Sequence, residues 1–396
     1  MITENNKIRQ DPTPMPRALT RAALGAAILA SLLMAPAALS NWDRFLGNWL
    51  VLFVFVVTLG LGALFLVALE FLVNATWSVP FRRISENLAG LILISLPLAI
   101  PILMGLHTLY EWTHSEAVSV DSILRAKAPY LNLRFFLIRF ALFYLVWIGA
   151  YFLFVGGSRR QDSTGDVGLT KRAMKLAPPF MILLAFTLTF AAFDWIMSLA
   201  PYWYSSIFGI YLLTGAMVAG TAIITFAGAS LKLKNLLPEA VRSDHFYNLG
   251  ALLFALNTLW AYIAFAQYLL IWYGGIPVET HWFDLRSQRG WEWVSVLLVL
   301  AHFLVPFLAL LSRSAKTDLR RLRWVSAWIL GAHGLDLYWL IMPSVRVNEG
   351  PFGWQDLCFP IAAIALALSV WLWQSARFPV IAIRDPRLQA GLQFHL

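Results

Sequence analysis

Ten apolar runs, each about twenty residues or longer, follow one another along this chain with short polar breaks between them. A run of that length crosses the ~30 Å hydrocarbon core of a bilayer as a helix, and only helices or closed barrels satisfy their backbone groups there. The pattern therefore predicts an all-α polytopic membrane protein: ten transmembrane helices in a single integral membrane domain, residues 1–396. The runs lie near residues 19–39, 48–73, 88–109, 135–155, 178–200, 205–230, 246–273, 292–312, 322–342 and 354–374. Of the 396 residues 60% are hydrophobic and only 13% charged, which a soluble chain of this size does not sustain. The first run follows a basic segment and has some signal-like character, but nine more spans come after it, so it reads as a retained helix.

Charge distribution predicts orientation. An even number of spans puts both termini on one side. Lys and Arg number 22 in the N-terminal segment, the even-numbered loops and the C-terminal segment, against 7 in the odd-numbered loops. By the positive-inside rule both termini are expected in the cytoplasm. The net charge of +9 is spread over these loops rather than along one soluble face, so nucleic acid is not an expected partner; the bilayer is. The basic inner stretches 159–172 and 313–323 read as topology signals and phospholipid anchors. The long outer loops, 110–134 and 274–291, mix acidic, basic and aromatic residues and read as docking platforms or lids.

The chemistry on offer is narrow. There is no glycine-rich phosphate loop, no GxSxG and no HExxH, and one cysteine, Cys358, excludes an internal disulfide or a cysteine-ligated cluster. Glycines 60, 62, 215 and 220 lie within spans, where close helix contact is their usual role. The informative residues are the ionisable ones inside spans: Glu70, Arg139, Asp194, His302, His333 and Asp336. Asp194 sits six residues before Ala200, about 9 Å below an aromatic turn, Pro201-Tyr202-Trp203-Tyr204, that marks a bilayer surface. A carboxylate there is expected to face protein or water. His333 and Asp336 share a helix face, and His302 lies at matching depth, so Asp194, Asp336, His333 and His302, with Glu70 as an inner entry, form a candidate proton path.

Plainer readings stand beside that path. Asp194 often-seen partners in such a place are neighbouring backbone or the side chains of Trp195, Ser198 and Tyr204. Arg139 either snorkels to the outer surface or pairs with Asp194 or Glu111. Glu70, a turn from the inner boundary, reads as solvated by default. Two histidines at one depth also suggest a b-type haem, but there is only one such pair and Asp336 already offers His333 a partner, so no haem is expected and no metal site is assigned.

FDWIMSLAPYWYSSIFGIY (193–211), with APYLNLRFFLIR (128–139), SRRQDSTGD (158–166), QYLLIWYGGIPVET (267–280), HFLVPFLALLSR (302–313) and LDLYWLIMP (335–343), resembles the polysulfide-reductase-like membrane subunits of bacterial alternative complex III, a quinol:cytochrome c oxidoreductase. The resemblance covers most of the chain in order and is nearer to the second of that complex's two membrane subunits. It implies two four-helix bundles, spans two to five and six to nine, flanked by the first and last helices. It also implies a bacterial inner-membrane location and, as partners, an iron–sulfur subunit, c-type cytochrome subunits and a related quinol-binding membrane subunit. The implied role is anchoring, with a proton path and no cofactor in this chain. Quinol-binding relatives carry a Trp-His pair in the hairpin turn, where this chain has Trp203-Tyr204. A second reading keeps the family and lets this chain bind quinol through Asp194, with His107 or His114 accepting protons. A third, a secondary transporter, lacks paired Gly/Pro-broken spans in matching halves; Pro97, Pro101 and Pro306 come closest.

Overall fold

A computed structural model describes residues 17–346 and 349–396; ten helices in it are long and apolar enough to cross a membrane, and no strand occurs among the described residues. In order they are α1 (Arg21–Ser40), α2 (Trp42–Leu72), α3 (Val79–Met104), α4 (Leu133–Thr164), α5 (Val167–Leu199), α6 (Phe208–Leu233), α7 (Ser243–Gly274), α8 (Trp291–Ala309), α9 (Leu319–Val345) and α10 (Trp354–Ser375). The chain is an all-α multi-pass membrane protein. Residues 1–16, which hold part of the basic N-terminal segment, lie outside the described residues.

Several helices outrun the apolar runs that predict them. The third begins at Val79 rather than near 88, the fourth continues to Thr164 rather than 155, and the fifth begins at Val167 rather than near 178. Hydropathy reports depth in a bilayer, whereas a helix continues until its backbone finds a cap. Asp166 supplies one at the start of α5, accepting from the Gly168 N–H at 2.8 Å, and Asn41 supplies another for α2, accepting from the Arg44 N–H at 2.9 Å. In α3, Pro97 and Pro101 remove two backbone donors, and the helix breaks between Leu91–Leu98 and Ile100–Met104; an earlier break, at Gly90, sets off Val79–Ala89.

α2 to α5 form one four-helix group and α6 to α9 a second; α1 lies along α10 beside α2. The groups meet where α2 crosses α6. A Cβ on Gly220 would stand 2.2 Å from the carbonyl carbon of Gly62, and one on Gly62 only 2.0 Å from the Ala216 oxygen, so the two backbones touch. Small residues permit that approach, and it seats the polar residues of α2, α6 and α9 within reach of one another.

Candidate functional site

At one end of the bundle α5 gives way after Trp195 to a 3-10 turn, Met197–Leu199, before the aromatic turn leads into α6. Side chains satisfy the carbonyls this exposes: the Ser198 hydroxyl donates to the Asp194 backbone oxygen at 2.5 Å and the Tyr110 hydroxyl to that of Trp195 at 2.9 Å. The Asp194 side chain is fully buried and takes a two-pronged contact from Arg139 of α4, Nε to Oδ2 at 2.7 Å and Nη2 to Oδ1 at 2.9 Å. Arg139 also donates to the Tyr130 carbonyl at 2.9 Å and lies over the Tyr130 ring at 3.9 Å. Burial first, and then the charge of Asp194, push the Tyr130 phenol above its ordinary range, so it stays neutral beside the pair. Asp194 is thus the acid half of an ion pair bracing α4 to α5, and its side chain bonds neither Trp195, Ser198 nor Tyr204 among the described contacts.

Three of the other sequence candidates come together deep inside the second group. His302 of α8 and His333 and Asp336 of α9 are buried, and one donor atom from each lies within 4.8 Å of the others. His302 stands on a π-helical segment, Val299–Leu304, and its ring packs 3.6 Å from Trp260 of α7, centroid to centroid. Neither of its ring nitrogens has a hydrogen-bond partner. His333 Nε2 is 2.9 Å from the Thr58 hydroxyl of α2, which in turn donates to the Phe55 carbonyl at 3.0 Å. With the Thr58 proton on that carbonyl, the matching tautomer of His333 carries its proton on Nε2; in either tautomer Nδ1 has no partner. The Tyr211 hydroxyl of α6 donates to Asp336 Oδ1 at 2.5 Å. Thr58, Tyr211 and Trp260 carried no mark in the sequence beyond being polar atoms in apolar spans, which need partners when buried.

The opposite end holds Glu70, and here the structure corrects the expectation of a solvated acid. Glu70 is buried and paired with Arg82 and Arg387, each at 3.0 Å, and accepts from the Ser78 hydroxyl at 2.8 Å. The reason is the C-terminal segment, which folds back so that Asp385 pairs with Arg82 and Arg387. A cavity of about 120 Å³ adjoins Glu70, Ser78 and Arg82. Nor is the 159–172 stretch only a lipid-facing loop: Arg83 pairs with Asp162, and Arg159 donates to Gln374 at 2.9 Å.

Around the aromatic turn the long loops 110–134 and 274–291 close into a roof. Tyr202 donates to Glu111 at 3.3 Å and Asp121 at 3.2 Å, and Lys127 bonds the Pro201 carbonyl. The exposed Tyr204 ring lies 5.7 Å from the Lys127 ammonium. Burial, then the Glu111 charge and the bond to Asp121, push the Tyr202 phenol to about 12, while the backbone N–H groups of Leu124 and Ile123 hold Asp121 below the usual carboxylate range. Trp203 stacks on Trp282 at 4.5 Å, and Trp282 meets Trp339 edge-on at 5.4 Å. Arg286, assigned by sequence only to a loop's charge count, is buried beneath this box. It donates to the carbonyls of Trp282 at 2.7 Å, Leu340 at 2.7 Å and Trp339 at 3.1 Å; the Trp339 carbonyl is one that Pro343, lacking an N–H, leaves open. Burial pushes this guanidinium well below its ordinary range, and no carboxylate pairs with it among the described residues. His107 and His114 lie stacked at 3.8 Å on the same face, away from Asp194's side-chain contacts.

Fold and site together define a multi-pass helical membrane protein with a roofed end, an ion-pair network at the opposite end and a buried histidine–carboxylate cluster between its helices. Compared with known proteins, the chain matches no protein-family profile and no curated protein.

Proposed function

We propose that this chain is a non-redox membrane subunit of a respiratory quinol:cytochrome c oxidoreductase of the alternative complex III type. It lies in a bacterial cytoplasmic membrane with both termini inside, and its roof anchors iron–sulfur and c-type cytochrome subunits beside a related quinol-binding membrane subunit. The observation that carries the reading is the roof itself: three segments distant in sequence are tied together by Tyr202, Lys127 and the Trp203–Trp282 stack into one ordered surface. A surface fixed in that way docks partners without first having to order itself, which keeps the entropic cost of association low. The Arg139–Asp194 brace beneath it belongs to the same role. With both carboxylate oxygens engaged by Arg139, Asp194 is held as a structural ion pair, and anchoring is the role proposed for it.

The test is purification through a tag on this chain from its native membrane. The expected preparation carries c-type haem and iron–sulfur absorption and reduces cytochrome c with quinol, whereas the chain expressed alone has no visible absorption. A native preparation without redox partners, or b-type haem absorption from the isolated chain, overturns the proposal.

A further inference from the structure

This chain buries six carboxylates among the described residues: Glu70, Glu86, Asp194, Asp336, Asp356 and Asp385. Five of them pair with arginine: Glu70 with Arg82 and Arg387, Glu86 with Arg82 and Arg83, Asp194 with Arg139, Asp356 with Arg44, and Asp385 with Arg82 and Arg387. Asp336 is the exception. What stands around it instead is two buried imidazoles that present unpartnered nitrogens: both of His302's and the Nδ1 of His333. A buried carboxylate without a cation and ring nitrogens beside it without partners are each costly, and one cation would take up the carboxylate and one nitrogen of each ring, leaving a single His302 nitrogen unpartnered.

We propose that His302, His333 and Asp336 bind a divalent first-row transition ion, of which zinc suits the donors best, through two imidazole nitrogens and one carboxylate oxygen. The surroundings fit that occupant. In the tautomer whose Nε2–H is given to Thr58 the Nδ1 lone pair of His333 is free, and Tyr211 holds Oδ1 of Asp336, with the Trp260 indole also beside this carboxyl. These are the outer hydrogen bonds that orient ligands at protein metal centres. Gly215 opposite His333 leaves room beside the ring: a Cβ there would come within 3.3 Å of Cε1 and 3.6 Å of Nδ1. The π-helical turn in α8 sets His302 against Trp260 with no hydrogen bond to break. Ligand atoms about 2.1 Å from a tetrahedral zinc lie ~3.4 Å apart, so the donors, now within 4.8 Å of one another, close by ~1.4 Å or less, a change that rotation of the His302 ring supplies. The ion ties α8 to α9, with α2, α6 and α7 holding its ligands in place. Enclosed as it is, it loads as the bundle closes and exchanges slowly with a chelator afterwards.

The experiment is elemental analysis and metal-edge X-ray absorption on the full chain, purified in detergent and washed with EDTA. About one zinc, iron, manganese or cobalt ion per chain is expected, with a first shell of nitrogen and oxygen at about 2.0–2.2 Å that includes imidazole scattering. His302→Gln and His333→Gln remove the ion. Thr58→Val and Tyr211→Phe, which touch no donor atom, weaken it about 10- to 100-fold in competition with a chelator. The unmodified chain carries the decision if a variant does not fold: a preparation with far less than one ion per chain, or a bound ion whose spectrum lacks imidazole, overturns the proposal. So does an ion that survives in both histidine variants. A metal-free chain with a bridging water or a mobile proton in the cluster is read out as the first of these.

Discussion

Asp194 and Asp336 are both buried aspartates, yet their partners differ: a guanidinium holds one, and a phenol with the Trp260 indole the other. Removing one member of a buried ion pair strands its partner, at a cost of about 3–5 kcal/mol, whereas replacing both with apolar groups of similar volume is often near neutral. Asp194→Asn is therefore expected to lower the unfolding midpoint in detergent sharply by leaving the Arg139 charge unpaired, and an Arg139→Met, Asp194→Leu double variant to recover much of the loss. A double variant as unstable as the single one would show that the pair is more than a brace. The pairing of Arg139 with Asp194 was among the options open in the sequence, because both residues begin or end spans at the same surface. The contact of Asp336 with Tyr211 was not, since nothing in an apolar run says which face of α6 meets α9.

At the level of elements, the decisive contact is the crossing of α2 and α6. Gly220→Ala would place a methyl carbon 2.2 Å from the Gly62 backbone, where no flexible side chain can yield, so the helices must separate. Overpacking of this kind costs typically about 1–3 kcal/mol, and separation would also draw Thr58 away from His333. A clearly reduced thermal midpoint is expected; one equal to that of the unmodified chain would mean the helices have slack there. The C-terminal segment offers a second element-scale test. Burial raises the Asp385 acid, but the charge of Arg82 and the hydrogen bond and charge of Arg387 outweigh it and hold the group below the usual carboxylate range. A group depressed in this way stabilises the folded state in full above its unfolded value of about 4 and loses that contribution as pH falls through its lower folded value. Carboxypeptidase trimming of the C-terminus, assayed after acid pulses, is expected to be slow at pH 5 and to accelerate below about pH 4; Asp385→Asn removes the pH dependence. Apolar runs made the ten helices legible because span length is fixed by the bilayer. The burial of Glu70 was not legible, because its partner Arg387 is 317 residues away in a segment with no periodicity to place it.

At the scale of the whole molecule, the two ends are built differently, and that asymmetry bears on orientation. The roofed end combines hydrogen bonds to backbone and stacked rings with the separate ion pairs Arg139–Asp194 and Arg44–Asp356, whereas the opposite end is one larger network of Arg82, Arg83 and Arg387 with Glu70, Glu86, Asp162 and Asp385. The excess of Lys and Arg in the loops of that second end is what a cytoplasmic face requires, and the pairing of several of its arginines with acids does not weaken the signal, since acidic residues contribute little to it. Labelling is a direct check because the single cysteine, Cys358, is 1% exposed and gives little background. Val120→Cys on the roof, where the native side chain is 85% exposed, is expected to react with a membrane-impermeant maleimide in intact spheroplasts. Ser163→Cys, exposed in the last turn of α4, is expected to react only after the membrane is opened. The reverse pattern would turn the roof toward the cytoplasm and remove the surface on which outer redox subunits are proposed to sit, while leaving the helices, the brace and the buried cluster as they are.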